Sequence, residues 1–122
     1  MSIEIVLYPK TASKEELATH LISRHYHRCG HLWPWPQGSL HFAWFDTTDF
    51  RSYEGVEATI FPPPEKDQKT YGICEWALHT RTRGSASSYD LKEQNALIRT
   101  ARKSFGGVFV NDWHGTNRYI PI

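Results

Sequence analysis

Apolar and polar residues alternate in two stretches of the chain, 40–44 and 56–60, and the second of these lies just before a run of three prolines. Alternation with a period of two places successive side chains on opposite faces, which is typical of a half-buried β-strand. A further stretch, from Ile3 to Tyr8, is short, apolar and rich in β-branched residues, and it ends at Pro9, which also favours a strand. We therefore predict three strands here.

The longest strand candidate extends from Tyr71 to Arg83. Its alternation directs Cys74, Trp76 and Leu78 toward the core. Its other, polar face carries four charged or titratable side chains: Glu75, His79, Arg81 and Arg83. The segment before it, 65–69, consists of charged and polar residues and is predicted to be a loop.

A first helix is predicted over 14–29. Ser13 and Glu16 have the spacing of a capping box, in which each side chain bonds the other residue's backbone amide. Apolar residues follow at helical intervals as far as Cys29, and Gly30 is suited to end the helix.

A second helix is predicted to begin at Asp90 and to end at Gly106–Gly107. Two short strands, 108–110 and 118–120, are expected after it, on either side of a turn at 111–115. The inner stripe of the helix is predicted to be Leu91, Ile98, Ala101 and Phe105.

The predicted order of elements is β-α-β-β-β-α-β-β. Consecutive strands in the middle indicate a mainly antiparallel sheet, and two helices can cover one of its faces. We expect a two-layer α+β fold, with 1–122 forming one domain, since 122 residues is an ordinary domain length.

Composition narrows the class of protein. The formal net charge is +1, so the whole chain has no strong field that would attract a nucleic acid, and we expect none as a partner. No stretch approaches the roughly 20 apolar residues of a membrane span, and the N-terminal residues lack the features of a signal peptide. We expect a cytoplasmic protein that does not insert into membranes, with both of its cysteines reduced.

The segment from His25 to His31 is rich in histidine and also contains Cys29. Zinc sites usually combine paired ligands from two segments, and Gly30 interrupts the helical spacing between His27 and His31. The alternative is an exposed helix end whose cations suit the helix dipole. We expect no metal and no cofactor.

Two groups of residues are candidates for binding a partner. The sequence Trp33-Pro34-Trp35-Pro36 forms a stiff aromatic loop, either a contact surface or a flap over the core. Basic residues could bind an anionic group, or could be solvated and paired with nearby acids. The predicted partner-binding residues are Trp33, Trp35, His79, Arg81, Arg83, Arg99 and Lys103.

A catalytic role is the alternative. An acid–base site that acts on a phosphate ester needs two histidines, or a histidine and a glutamate, close together. His79 and His114, with Glu75 and Arg81, could supply it. The chain has no glycine-rich phosphate loop and no nucleophile elbow. We expect a protein that is not an enzyme.

The C-terminal half resembles small bacterial immunity proteins of contact-dependent inhibition and related polymorphic toxin systems. The resemblance rests on segments 83–90, 94–95, 98–99, 101–102, 105–107 and 115–119, which lie within a stretch of about a third of the chain. It implies a cytoplasmic inhibitor that neutralises a cognate toxin domain by binding it directly. The alternatives are a small histidine-dependent hydrolase or nuclease, and a module that binds a ligand or nucleic acid through the Trp loop and the arginines.

Overall fold

The computed structural model describes residues 3–30, 34–45, 55–82, 88–113 and 116–121. Seven strands and three helices follow one another within these ranges. In chain order they are β1 (Ile3–Tyr8), α1 (Lys14–Ser23), β2 (His27–Arg28), β3 (Leu40–Trp44), β4 (Val56–Phe61), α2 (Glu65–Tyr71), β5 (Ala77–Thr82), α3 (Ser88–Phe105), β6 (Val108–Trp113) and β7 (Thr116–Pro121).

All seven strands belong to one sheet with the order β2-β3-β4-β5-β1-β6-β7. Every neighbouring pair is antiparallel. β1 lies inside the sheet between β5 and β6, so the N-terminal strand joins the two halves. The predicted α+β class, with a mainly antiparallel sheet, is confirmed.

The main core lies between the sheet and the two longer helices. Alternate residues of β1 and β5, such as Leu7 and Leu78, point to this side and are fully buried. α1 contributes Leu17 and Leu21, and α3 contributes Leu97 to the same apolar cluster. The two helices therefore cover one face of the sheet, as the sequence predicted.

The first helix is shorter than predicted, because it ends at Ser23 and does not reach Cys29. Its capping box is present, with both reciprocal bonds formed between Ser13 and Glu16. His25 then adopts a left-handed conformation (φ 68°), which reverses the chain. Tyr26 is consequently buried in the main core, and the next two residues form β2 against β3.

The predicted loop at 65–69 is in fact part of α2. None of its residues is buried, so the helix has no apolar stripe by which the sequence could reveal it. Its first turn is acidic and an ion pair joins Glu65 to Lys69 four residues later, and both features favour a helix. As α2 extends to Tyr71, β5 begins only at Ala77, later than predicted.

The residues between α2 and β5 differ from the prediction in their burial. Cys74 is buried, but in a second apolar cluster on the other face of the sheet. Trp76 is only partly buried, at the edge of the main core, and the Nζ atom of Lys14 lies 4.6 Å from the centroid of its ring. Only Leu78 faces the main core as a fully buried residue, since it alone of the three belongs to β5.

The last two strands are longer than predicted. β6 continues through the expected turn at 111–115 as far as Trp113, because Asn111 and Asp112 pair with residues of β7. The position of His114 lies outside the described residues. The α3 stripe also differs: its buried residues are Asp90, Gln94, Leu97, Ile98 and Ala101.

Candidate functional site

The second face of the sheet, away from α1 and α3, carries polar side chains on its central strands. Glu57 on β4, Arg81 on β5 and Glu4 on β1 are register partners and form one row. His79 lies one step along β5 on the same face. We call these four residues, together with Trp35, the polar window.

A second apolar cluster lies beside the polar window, toward one end of the strands. Its buried members are Tyr8, Phe61, Cys74, Ala77 and Val110. The Tyr8 ring stacks on Tyr71 of α2 at 4.6 Å between centroids, so α2 and its loop cover one end of this face. The polar window beside this end is partly exposed.

His79 and Glu4 form a hydrogen-bonded pair across β5 and β1. The Nε2 atom of His79 lies 3.1 Å from Oε1 of Glu4. The hydrogen bond with His79 lowers the pKa of Glu4 below its ordinary value, against the opposing effect of burial, and the nearby charge of Arg81 adds to the lowering. Glu4 is therefore ionised at neutral pH, and it can orient the His79 ring.

Arg81 lies between two acidic residues, Glu4 and Glu57, on neighbouring strands. Its Nε atom is buried and has no hydrogen-bond partner within the described part of the chain. A guanidinium group offers five donors in a planar fork, and this buried one is left without an acceptor among the described residues. The position on a central strand holds this donor in a defined place.

Trp35 lies against the same face as His79. Its ring centroid is 5.1 Å from that of His79 and 5.3 Å from that of Phe61. The segment is anchored where Lys14 donates a hydrogen bond to the carbonyl of Gly38 at 3.2 Å. Because the ring is half-buried, Trp35 both closes the second cluster and leaves surface for a contact.

One residue of this region was missed by sequence reasoning. His41 on β3 is nearly buried, lies 6.1 Å from the Trp35 ring, and its Nδ1 is 3.1 Å from Oγ1 of Thr59. The available signal was its place between Leu40 and Phe42, which puts it on the polar side of that strand.

The other predicted site residues lie elsewhere. Arg99 and Lys103 are exposed on α3, in the helical layer behind the sheet, so they do not join Arg81. Glu75 is exposed in the loop before β5. Trp33, Arg83 and His114 lie outside the described residues. Of the predicted set, the structure brings together Trp35, His79 and Arg81.

No group of three or more metal-binding side chains occurs among the residues that the structure describes. Both cysteines are free; Cys29 is exposed and Cys74 is buried. Burial raises the pKa of the Cys74 thiol to about 11, which keeps it protonated at neutral pH. Within the described ranges, no helix has the length and apolar character needed to cross a bilayer.

In comparisons with known proteins, no family model, no curated protein and no solved structure matches this chain.

Proposed function

We propose that the protein is a small cytoplasmic inhibitor that binds another protein, with a role like that of a bacterial immunity protein toward a cognate toxin domain. The partner contacts the polar window. The observation that supports this most directly is the row Glu57–Arg81–Glu4 on three adjacent strands beside the half-buried ring of Trp35.

The residue types of the polar window suit a protein interface. Tryptophan and arginine are over-represented among residues that dominate binding energy, because they combine large contact area with directional hydrogen bonds. Arg81 and Glu4 project from central strands, so little conformational entropy is lost when a partner orders them. Charges of alternating sign select a partner with the complementary pattern and disfavour others.

Arg81→Ala is the variant that tests this proposal. We expect affinity for the partner to fall by about 10-fold or more, roughly 1.4 kcal/mol, with little change in melting temperature. The partner is first identified by pull-down from the native host and mass spectrometry, and its affinity is then measured by calorimetry with purified proteins. The matched control is Arg99→Ala, an exposed arginine in the other layer.

The two arginine variants separate the possible outcomes. If Arg99→Ala weakens binding and Arg81→Ala does not, the partner binds the helical layer and the polar window is structural. Trp35→Ala is a poorer probe, because the ring packs on Phe61 and His79 and its loss lowers stability as well as affinity.

A second function is favoured by one specific contact, the His79–Glu4 pair. A histidine oriented by a carboxylate is a common general acid or base, and Arg81 nearby could hold a phosphate ester. If the protein is a hydrolase, His79→Ala should lower the rate of RNA cleavage at least 100-fold. A preparation whose cleavage activity is the same with and without His79 would show that the activity belongs to a contaminant.

A further inference from the structure

Three basic side chains form a straight line along the solvent side of α3. Lys92, Arg99 and Lys103 are separated by seven and four residues, which places them on one helical face, and all three are exposed. The opposite face of the helix buries Leu97 and Ala101. We call these three residues the basic stripe; it extends over about 16 Å at 1.5 Å per residue.

The acidic residues of α3 do not neutralise the basic stripe. Glu93 is held by Arg24 of α1 through two hydrogen bonds of 2.7 and 2.9 Å, and Asp90 is completely buried. Within the described ranges, no ion pair involves Lys92, Arg99 or Lys103. The solvent side of α3 is thus locally cationic, although the net charge of the chain is only +1.

An exposed aromatic ring lies at the N-terminal end of the basic stripe. Tyr89 is 65% exposed and is one helical turn before Lys92, so the two side chains are neighbours on the helix surface. An exposed tyrosine does not contribute to the core of this protein. Its flat ring is a surface on which a planar group can stack.

We propose that α3 binds single-stranded nucleic acid, with backbone phosphates along the basic stripe and a base stacked on Tyr89. A positively charged track together with an aromatic ring is the combination by which proteins bind single strands without sequence preference. The other exposed residues around the stripe are polar, namely Ser88, Asn95 and Ser104. Apart from Tyr89, no described residue places an exposed aromatic or apolar side chain on this surface to form the centre of a protein interface.

This activity goes beyond the proposed inhibitor function, because it uses the opposite side of the sheet from the polar window. The near-neutral net charge gave no indication of it, since the sum over the sequence combines exposed acids elsewhere, such as Glu15 and Glu16, with the bases of α3. These charges lie on two different helices, α1 and α3.

The first test measures salt dependence. Binding of a fluorescein-labelled 20-nucleotide oligothymidylate is followed by anisotropy between 50 and 200 mM salt. Three phosphate contacts on a single strand should give a log–log slope of about −2, which is roughly a 20-fold loss of affinity over this range. Replacing Lys92, Arg99 and Lys103 together by alanine should bring the slope close to zero, and alanine keeps the helix intact.

The matched control is Lys66→Ala with Lys69→Ala, which removes two exposed lysines from α2. It should leave both affinity and slope unchanged. The second test is Tyr89→Ala, which should weaken binding about 5-fold or more without altering the slope, because stacking is not ionic. A duplex of equal length should bind less tightly than the single strand, since its bases are already stacked.

Three results would overturn the proposal. The first is no binding at 50 mM salt. The second is an equal loss of binding in the α2 control and the α3 variant. The third is competition by poly-glutamate as effective as that by unlabelled oligothymidylate, which would indicate that the stripe binds an acidic protein instead. None of these results depends on Arg81, so the proposed inhibitor function is tested separately.

Discussion

Replacing Gly107 by alanine is expected to destabilise the protein by about 4 kcal/mol or more, which places it among the rare severe point substitutions. Gly107 joins α3 to β6 with φ +97°, in the left-handed region that favours glycine. A Cβ atom there would overlap the carbonyl oxygen of Tyr8 and lie 2.7 Å from Cα of Pro9. These atoms belong to the backbone, so no side-chain rotation can relieve the overlap.

Near Gly107, backbone hydrogen bonds also join the end of α3 to the residues that follow β1. The carbonyl of Phe105 accepts hydrogen bonds from the amides of Lys10 and Thr11, both at 3.1 Å. A methyl group at Gly107 would push these two segments apart. The strain would therefore extend to the pairing of β1 with β6, in the interior of the sheet.

Gly72→Ala is the matched control for this prediction. Gly72 also has a left-handed φ, +117°, but nothing lies within 4 Å of the position of its Cβ. Its replacement should cost only the backbone strain, about 1–3 kcal/mol. Urea unfolding of both variants gives the comparison. Equal losses in the two variants would show that Gly107 is not in close contact with β1.

The sequence predicted the strands better than it predicted the site, and β1 shows why. The β-branched, apolar composition of Ile3–Tyr8 is a local property, so the strand could be predicted from the residues themselves. The contact of Glu4 with His79 joins residues 75 positions apart. Only the order of strands in the sheet brings β1 beside β5, and no local pattern specifies that order.

The errors in predicting the helices also arise because tertiary structure is not specified by local patterns. The apolar spacing through Tyr26 was correct as a sign of burial, and Tyr26 is buried. It reaches the core after a reversal at His25, a conformation that local propensity disfavours and tertiary packing imposes. The prediction missed α2 altogether, because a helix without buried residues has no periodic apolar signal.

The sequence predicted part of the polar window, namely the part that depends on local alternation along one strand. Alternation along β5 correctly placed His79 and Arg81 on the face opposite to Leu78. The same reasoning put Glu75 with them, but β5 begins two residues after it, at Ala77. The start of a strand depends on the preceding α2 and its loop, which the sequence did not reveal.

The orientation of α3 can be tested by comparing two identical substitutions in the same helix. The sequence predicted Leu91 in the inner stripe and did not include Leu97. In the structure Leu97 is completely buried within the main core, whereas Leu91 is only half-buried. The burial of these two leucines differs because of the helix orientation: Gln94, Leu97 and Ala101 face the strands, and Leu91 does not.

We expect Leu97→Ala to lower the free energy of unfolding by about 3 kcal/mol, within the usual range for a buried leucine, because it leaves a cavity between α3, α1 and the sheet. Leu91→Ala should cost about half as much or less. Both variants change leucine to alanine in one helix, so the difference in helix propensity cancels. Urea midpoints with unchanged m-values would provide the two free energies. If Leu91→Ala proves the more damaging, the helix is rotated as the sequence pattern predicted, and the basic stripe would no longer point directly away from the core.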